Sequence, residues 1–163
     1  MKIIGVIMTY NCESLVQKAI DQIPKEEFDK LICTDDGSTD NTIEIVKKNN
    51  IEFIKNNHLG YGMNLYAGMK KAFDLGATHV IELHGDSQYD FTYVKEMKQN
   101  FSEGCDLVLG NRFFNFKEPL VNGMPIYIYL GNIFLTILGK IGLGIKNDDL
   151  FQGFRGYSKN LFN

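Results

Sequence analysis

Five short polar clusters carry the residue types in this chain that can do chemistry, and each directly follows an apolar, β-branched run. Asp35-Asp36-Gly37-Ser38 places carboxylates where a nucleobase edge or ribose hydroxyls can donate to them, with Gly37 allowing a sharp turn. The same letters also spell an Asx-type turn, with Ser38, Thr39 or Asp40 capping the next helix. His84-Gly85-Asp86-Ser87-Gln88 offers oxygen and imidazole donors to a hard divalent cation that also grips phosphate oxygens. In an extended chain the side chains at 84, 86 and 88 share one face; a solvated strand exit is the plainer alternative. Arg112 and Arg155 suit bidentate binding of phosphate or carboxylate, or surface salt bridges. His58 can hydrogen-bond a phosphate or serve loop structure beside Gly60, His79 sits within a strand as a packing residue, and Cys12, Cys33 and Cys105 read as small apolar fillers. The order and spacing of residues contain no Ser/His/Asp arrangement, nucleophile elbow or P-loop.

The elements that must position these clusters alternate along the chain. Strands are expected at Ile3–Thr9, Lys30–Thr34, Ile51–Lys55, His79–Leu83 and Asp106–Leu109. Amphipathic helices are expected around Ser14–Gln22, Asp40–Asn49, Gly62–Leu75 and Tyr93–Ser102. Such alternation implies βαβ units, hence an α/β domain with a mostly parallel sheet and helices on both faces. In open sheets of this kind ligands sit outside the carboxyl ends of the strands. All five polar clusters, Thr9 to Asn11, Asp35 to Ser38, Asn56 to Gly60, His84 to Gln88 and Gly110 to Arg112, fall there, which predicts one site instead of five unrelated turns.

The 163 residues fit one domain, and 44% hydrophobic with 23% charged residues excludes a disordered or fibrous chain. Seventeen basic against 20 acidic side chains leave a net charge of -3, which argues against nucleic acid as a partner. Three widely spaced cysteines argue against a disulfide framework and for a reducing, cytoplasmic setting. The N-terminal Met1–Met8 stretch reads as a buried strand, not a leader peptide. The uncharged stretch from Pro119 to Gly139 is broken by Asn122, Gly123 and Pro125, leaving about fourteen residues, short for a membrane span.

Taken in order, the motifs resemble the family 2 glycosyltransferases of GT-A (Rossmann-like) fold, and within them the polyprenyl-phosphate and dolichyl-phosphate branch. The series is Tyr10-Asn11, Asp35-Asp36-Gly37-Ser38-Thr39-Asp40, Asn57 with Gly60-Tyr61-Gly62, Asp86-Ser87-Gln88-Tyr89, Gly110-Asn111-Arg112, Gly123-Met124-Pro125 and Gly153-Phe154-Arg155-Gly156-Tyr157. The resemblance implies that Thr9, Tyr10, Asn11 and Asp36 bind a nucleotide, and that Asp86 and Gln88 hold Mg2+ or Mn2+. It implies that Arg112 and Arg155 face donor or lipid phosphates and that Asp149 lies near the acceptor. His84 stands where the family's metal motif has its first acid, Cys12 where a glutamate is usual unless Glu13 compensates, and Phe151 where a glutamine is common. The chain ends at Asn163, soon after the last motif, so one catalytic domain over residues 1–163 is expected, truncated at its C-terminus or lacking a membrane-contacting tail.

The implied reaction moves a hexose from a nucleoside-diphosphate sugar such as GDP-mannose or UDP-glucose to a polyprenyl phosphate, with inversion and with a divalent cation as Lewis acid. It implies peripheral contact with the cytoplasmic face of a membrane. Three alternatives stay open: a glycan, protein or polysaccharide hydroxyl as acceptor, with Asp149 as base; a nucleotidyltransferase; and a non-catalytic binding domain.

Overall fold

A computed structural model of the chain describes residues 1–111, 117–121, 123–144, 149 and 152–162. The strands are β1 (Ile3–Thr9), β2 (Lys30–Asp35), β3 (Glu52–Lys55), β4 (His79–His84), β5 (Leu107–Leu109) and β6 (Arg155–Ser158). The helices are α1 (Val16–Gln22), α2 (Thr42–Lys48), α3 (Tyr61–Asp74), α4 (Val94–Ser102), α5 (Glu118–Val121) and α6 (Ile126–Leu143). The chain divides into two compact units, residues 1–108 with 156–163, and residues 109–155.

The first unit is built on the sheet, whose order is β3-β2-β1-β4-β6-β5. β1 runs parallel to β2 and β4, and β2 parallel to β3, while β6 lies antiparallel on β4 with Tyr157 opposite Val80. Every residue of β1, Ile3 to Thr9, is buried, as a central parallel strand covered on both faces requires. On one face Ile4, Val6 and Val80 pack with Leu65, Met69 and Phe73 of α3. On the other, His79 meets Phe101 of α4 with ring centroids 4.4 Å apart. Helices therefore cover both faces, as expected.

α3 lies unusually close to the sheet. A Cβ on Gly68 would fall 2.5 Å from Val6 Cγ1 and 2.9 Å from Thr34 Cγ2. Its absence lets the helix settle onto β1 and β2, which brings the first turn of α3 to the carboxyl edge of the sheet. β6 is an element the sequence did not announce, and it inserts antiparallel between β4 and β5.

In the second unit α6 extends over 18 residues, beyond the fourteen or so expected. Pro125 precedes it and Gly144 ends it in the left-handed conformation. Tyr127, Phe134 and Ile141, seven residues apart on α6, are 73%, 61% and 78% exposed. No described helix is long and apolar enough to cross a membrane.

Candidate functional site

A cavity of about 350 Å3 opens where β1, β2 and β4 end, within the first unit. Its walls come from the β1 exit (Thr9, Tyr10), Asp36 after β2, His58 and Gly60 after β3, Tyr61 and Asn64 of α3, and His84 to Asp86 after β4. Four of the five polar clusters thus meet in one pocket, as strand-end placement predicts. The backbone is left-handed at Asn11, His58 and Ser87, three of the four described non-glycine residues with positive φ, and all three lie in these loops.

Two adjacent carboxylates after β2 hold the loops. Asp35 is fully buried and accepts from the Thr9 hydroxyl at 2.9 Å, the Ser38 hydroxyl at 2.5 Å, and the amides of Gly37 and Ser38 at 3.1 and 2.8 Å. Asp36, 4% exposed, accepts from the Leu59 amide at 2.7 Å and the Gly60 amide at 3.0 Å, with His58 Nδ1 3.2 Å away. His58 in turn stacks on Tyr10, with centroids 4.6 Å apart and planes 23° off parallel. The pair makes a flat aromatic wall beside Asp36. Asn64, 2% exposed, accepts through Oδ1 from Thr34 and Asn56 and donates to the Thr34 carbonyl, tying α3 to β2 and to the loop after β3.

Of the residues expected at a nucleotide site, Thr9, Tyr10 and Asp36 line the pocket. Asn11 does not: its amide donates to Ser38 Oγ and its Oδ1 accepts from the Thr39 amide, so it braces the β2 loop from outside. Glu13 likewise turns away, accepting from the Asn41 amide and side chain. Cys12 lines the pocket, but burial pushes its thiol up, so it stands as a neutral thiol. Cys33 is buried as an apolar filler, whereas Cys105 is exposed and fills nothing.

Beyond β4 the chain turns at once. A Cβ on Gly85 would fall 2.8 Å from Thr9 Cγ2, so only glycine lets this loop lie against the β1 exit. Asp86 Oδ1 accepts from the Gln88 amide at 3.2 Å and Ser87 is left-handed, so residues 84 to 88 are not extended. His84 and Asp86 line the pocket, while Gln88 is exposed and outside its lining. His84 Nε2 lies 2.9 Å from Glu82, a buried carboxylate that the sequence reading passed over. Tyr61 and Asn64 were also missed as wall residues; both lie on the first turn of α3.

Asp149 and Arg155 belong to the second unit. Asp149 is buried there, and Arg155 donates from Nε to the Gln152 carbonyl at 2.5 Å. Arg112 and Phe151 lie outside the described residues.

The donor set at the β4 exit fits a divalent cation of the Mg2+ or Mn2+ type. Asp86 brings carboxylate oxygens and His84 an imidazole nitrogen, and among the described residues no lysine or arginine lines the cavity to compete. Among the described residues no three His, Cys, Asp or Glu side chains converge as a metal-holding group. Such cations are commonly bound through one or two protein ligands with substrate phosphates completing the shell.

The family model described as "Glycosyl transferase family 2" matches residues 6–163. A UDP-N-acetylglucosamine–dolichyl-phosphate N-acetylglucosaminyltransferase of Methanococcus voltae is 30% identical over 174 residues, covering 95% of this chain and 68% of that one. A dolichyl-phosphate hexose transferase of Haloferax volcanii is 26% identical over 161 residues, covering 97% of this chain and 67% of the relative. Glucosyl-3-phosphoglycerate synthase from Mycobacterium tuberculosis, crystallised with Mn2+, UDP and glucosyl-3-phosphoglycerate, superposes with a TM-score of 0.69 at 19% identity. That superposition covers 98% of this chain and 57% of the synthase, and it establishes the fold. The chain thus spans about two thirds of the archaeal relatives and little more than half of the crystallised synthase.

Proposed function

The chain belongs to glycosyl transferase family 2, and from that membership and the pocket we infer that it transfers a hexosyl unit from a nucleoside-diphosphate sugar to a polyprenyl phosphate. The observation that carries the reading is the charge of the pocket. Asp36 and Asp86 line it, Glu82 touches its His84 wall, and among the described residues no lysine or arginine lines it. A nucleoside diphosphate is itself multiply anionic, and with no basic side chain among the described walls a bound cation would offset its charge there. A neutral ligand would need none. The match to two relatives named for dolichyl phosphate supports the acceptor class.

Each residue then has a task. The Tyr10–His58 wall takes the face of the base, beside Asp36 as an acceptor for base or ribose donors. Asp86, with His84 beside it and Gln88 on the same loop, would hold Mg2+ or Mn2+. When bound, that cation offsets the charge that develops on the leaving diphosphate. An acceptor phosphate oxygen attacks the anomeric carbon as the carbon–oxygen bond to the diphosphate breaks, which inverts that carbon. The acceptor is already ionised at neutral pH, so the pocket needs no strong general base for this step. In this reading Arg112, Arg155 and Asp149 serve the phosphates and the acceptor. The exposed stripe of α6, Tyr127, Phe134 and Ile141, suits contact with the membrane interface that carries a polyprenyl chain, on the cytoplasmic side.

A thermal-shift panel of GDP, UDP and dTDP, each with and without Mn2+ or Mg2+, tests the nucleotide and cation together. At a hundredfold excess over Kd the preferred pair stabilises by about 2.7 kcal/mol, which is roughly 5 to 10 °C for a chain of this size. UDP is the expected partner and its shift requires the cation. A shift of equal size without metal refutes the charge argument, and no shift with any nucleotide refutes the reading. Transfer of labelled sugar to a polyprenyl phosphate, set beside a glycan hydroxyl acceptor, then decides the acceptor. Flotation with liposomes tests α6: Phe134→Asp should lower the bound fraction, and no association in the unaltered protein rejects the membrane contact.

A further inference from the structure

β4 is an apolar strand with one anomaly. Glu82 lies between Ile81 and Leu83 at 0% exposure, in the interior of the sheet opposite Val6 of β1. A carboxylate there is tolerated only if its oxygens are fully hydrogen-bonded, and an apolar residue of similar volume would serve packing at least as well. Its partners are specific. Oε1 accepts from the Tyr61 hydroxyl and lies 2.9 Å from His84 Nε2, and Oε2 accepts from the Tyr157 hydroxyl at 3.1 Å. No lysine or arginine is within salt-bridge distance among the described residues. Tyr61 and His84 line the pocket, whereas Glu82 and Tyr157 stand one layer behind it.

Both tyrosine hydroxyls donate to the Glu82 carboxyl oxygens, and the His84 ring nitrogen completes the set. Nε2 is thus the ring nitrogen of His84 that Glu82 engages, which leaves Nδ1 as the nitrogen available to a ligand. Nδ1 has no hydrogen-bond partner among the described residues. The ring is also held sterically, edge-on against Tyr89 at 4.7 Å between centroids and tilted against Tyr61 at 5.9 Å. We propose that Glu82 is a positioning residue: its contact with His84 fixes the tautomer and the ring so that Nδ1 is the basic nitrogen on the pocket wall, where it ligates the cation held by Asp86. Carboxylate-backed imidazoles are the common form of histidine ligand, because the second hydrogen bond both orients the ring and raises its basicity. The ligand half rests on the function proposed above; the tautomer half stands on this geometry alone.

Nitrogen NMR on the whole chain separates the two halves. The spectrum is taken at about pH 8.5, above the ordinary imidazole range, and His84 is assigned by the signals lost in His84→Gln. The expected result is a pyrrole-type Nε2 and a pyridine-type Nδ1. Glu82→Gln should mix the tautomers and weaken Mn2+-dependent UDP binding, read by calorimetry, by roughly 10- to 100-fold. Because Glu82 acts through His84, Glu82→Gln combined with His84→Gln should lose no more affinity than His84→Gln alone. A protonated Nδ1 in the unaltered protein overturns the proposal, and that measurement does not depend on whether a Glu82 variant folds. An unchanged tautomer in Glu82→Gln overturns it as well, and so do losses that multiply in the double variant. If the tautomer is as stated but neither Mn2+ nor UDP binds, the positioning role stands and the proposed function falls.

Discussion

Replacing Asp36 tests whether one carboxylate can both build the pocket and serve its ligand. Asp36 closes the loop after β3 by accepting from the amides of Leu59 and Gly60 at 2.7 and 3.0 Å, across a segment left-handed at His58 and Gly60. Each bond to a charged acceptor contributes about 1.5 to 3 kcal/mol. Both amides are only partly buried, so the lower end applies, and Asp36→Ala removes about 3 kcal/mol of local stability. The His58 contact adds little, since the imidazole is 64% exposed. About 3 kcal/mol is roughly a hundredfold in the opening equilibrium of the loop. Amide exchange at Leu59 and Gly60 in the ligand-free protein should therefore accelerate by about two orders of magnitude. Nucleotide affinity should fall with or without cation, because the Tyr10–His58 wall goes with the loop. Asp36→Asn, which keeps one acceptor oxygen, should show roughly half the loss in free energy. Unchanged exchange at these two amides in a folded Asp36→Ala protein would refute the structural role, leaving direct ligand contact as the only function of this side chain.

Other consequences follow from packing and burial. Gly68→Ala gains about 1 kcal/mol of helix propensity but forces a contact at 2.5 Å with Val6, at about 1 to 3 kcal/mol; the expected net is a lower Tm and weaker nucleotide binding, and a variant as stable as the parent rejects the close approach. Thiol titration of the native protein should count Cys105 alone, with Cys12 and Cys33 appearing only on unfolding, since burial pushes the Cys33 thiol up to about 12; a second fast-reacting thiol would contradict this. Burial against Phe101, and then the N-terminal amino group, lower the pKa of His79, with Asp106 opposing. Its stabilising contribution is therefore full above the ordinary value of 6.5 and is lost as pH falls through the lowered folded-state value, so the urea midpoint should drop less on acidification in His79→Gln than in the parent.

The sequence revealed the frame well because its elements are written locally. Strands buried on both faces appear as apolar β-branched runs, and β1 was bounded to the residue. β6 was not visible: Arg155-Gly156-Tyr157-Ser158 has no such run, and its place beside β4 comes from pairing with residues far upstream. The site's location was legible as polar clusters after strands, but the duties within it were not. Asn11 looked like a pocket residue and is a brace, because its left-handed backbone turns its side chain to the Thr39 amide. Gln88 looked aligned with Asp86 only on the assumption of an extended chain, and the turn at Ser87 removes that alignment. Glu82 was hidden by its apolar neighbours; the available signal was a lone acid inside a buried run, which in a central strand demands partners.

The carboxylates at this edge of the sheet divide by what surrounds them. Asp35 receives four donors, Asp36 two backbone amides and Glu82 three side chains. Their lone pairs are largely committed to holding β1, β2, α3 and the loops in register. Asp86 receives one backbone amide and keeps the rest of its capacity facing the cavity. Asp36 and Asp86 line the cavity and Glu82 backs its His84 wall, so the pocket is rich in carboxyl groups. A diphosphate then meets repulsion that the described walls have no cation to offset, and the carboxylate best able to take a metal is the one the fold has engaged least. In the function proposed above, the polar network that holds the pocket together is thus also what gives a divalent cation its task there, offsetting charge as an anionic donor binds.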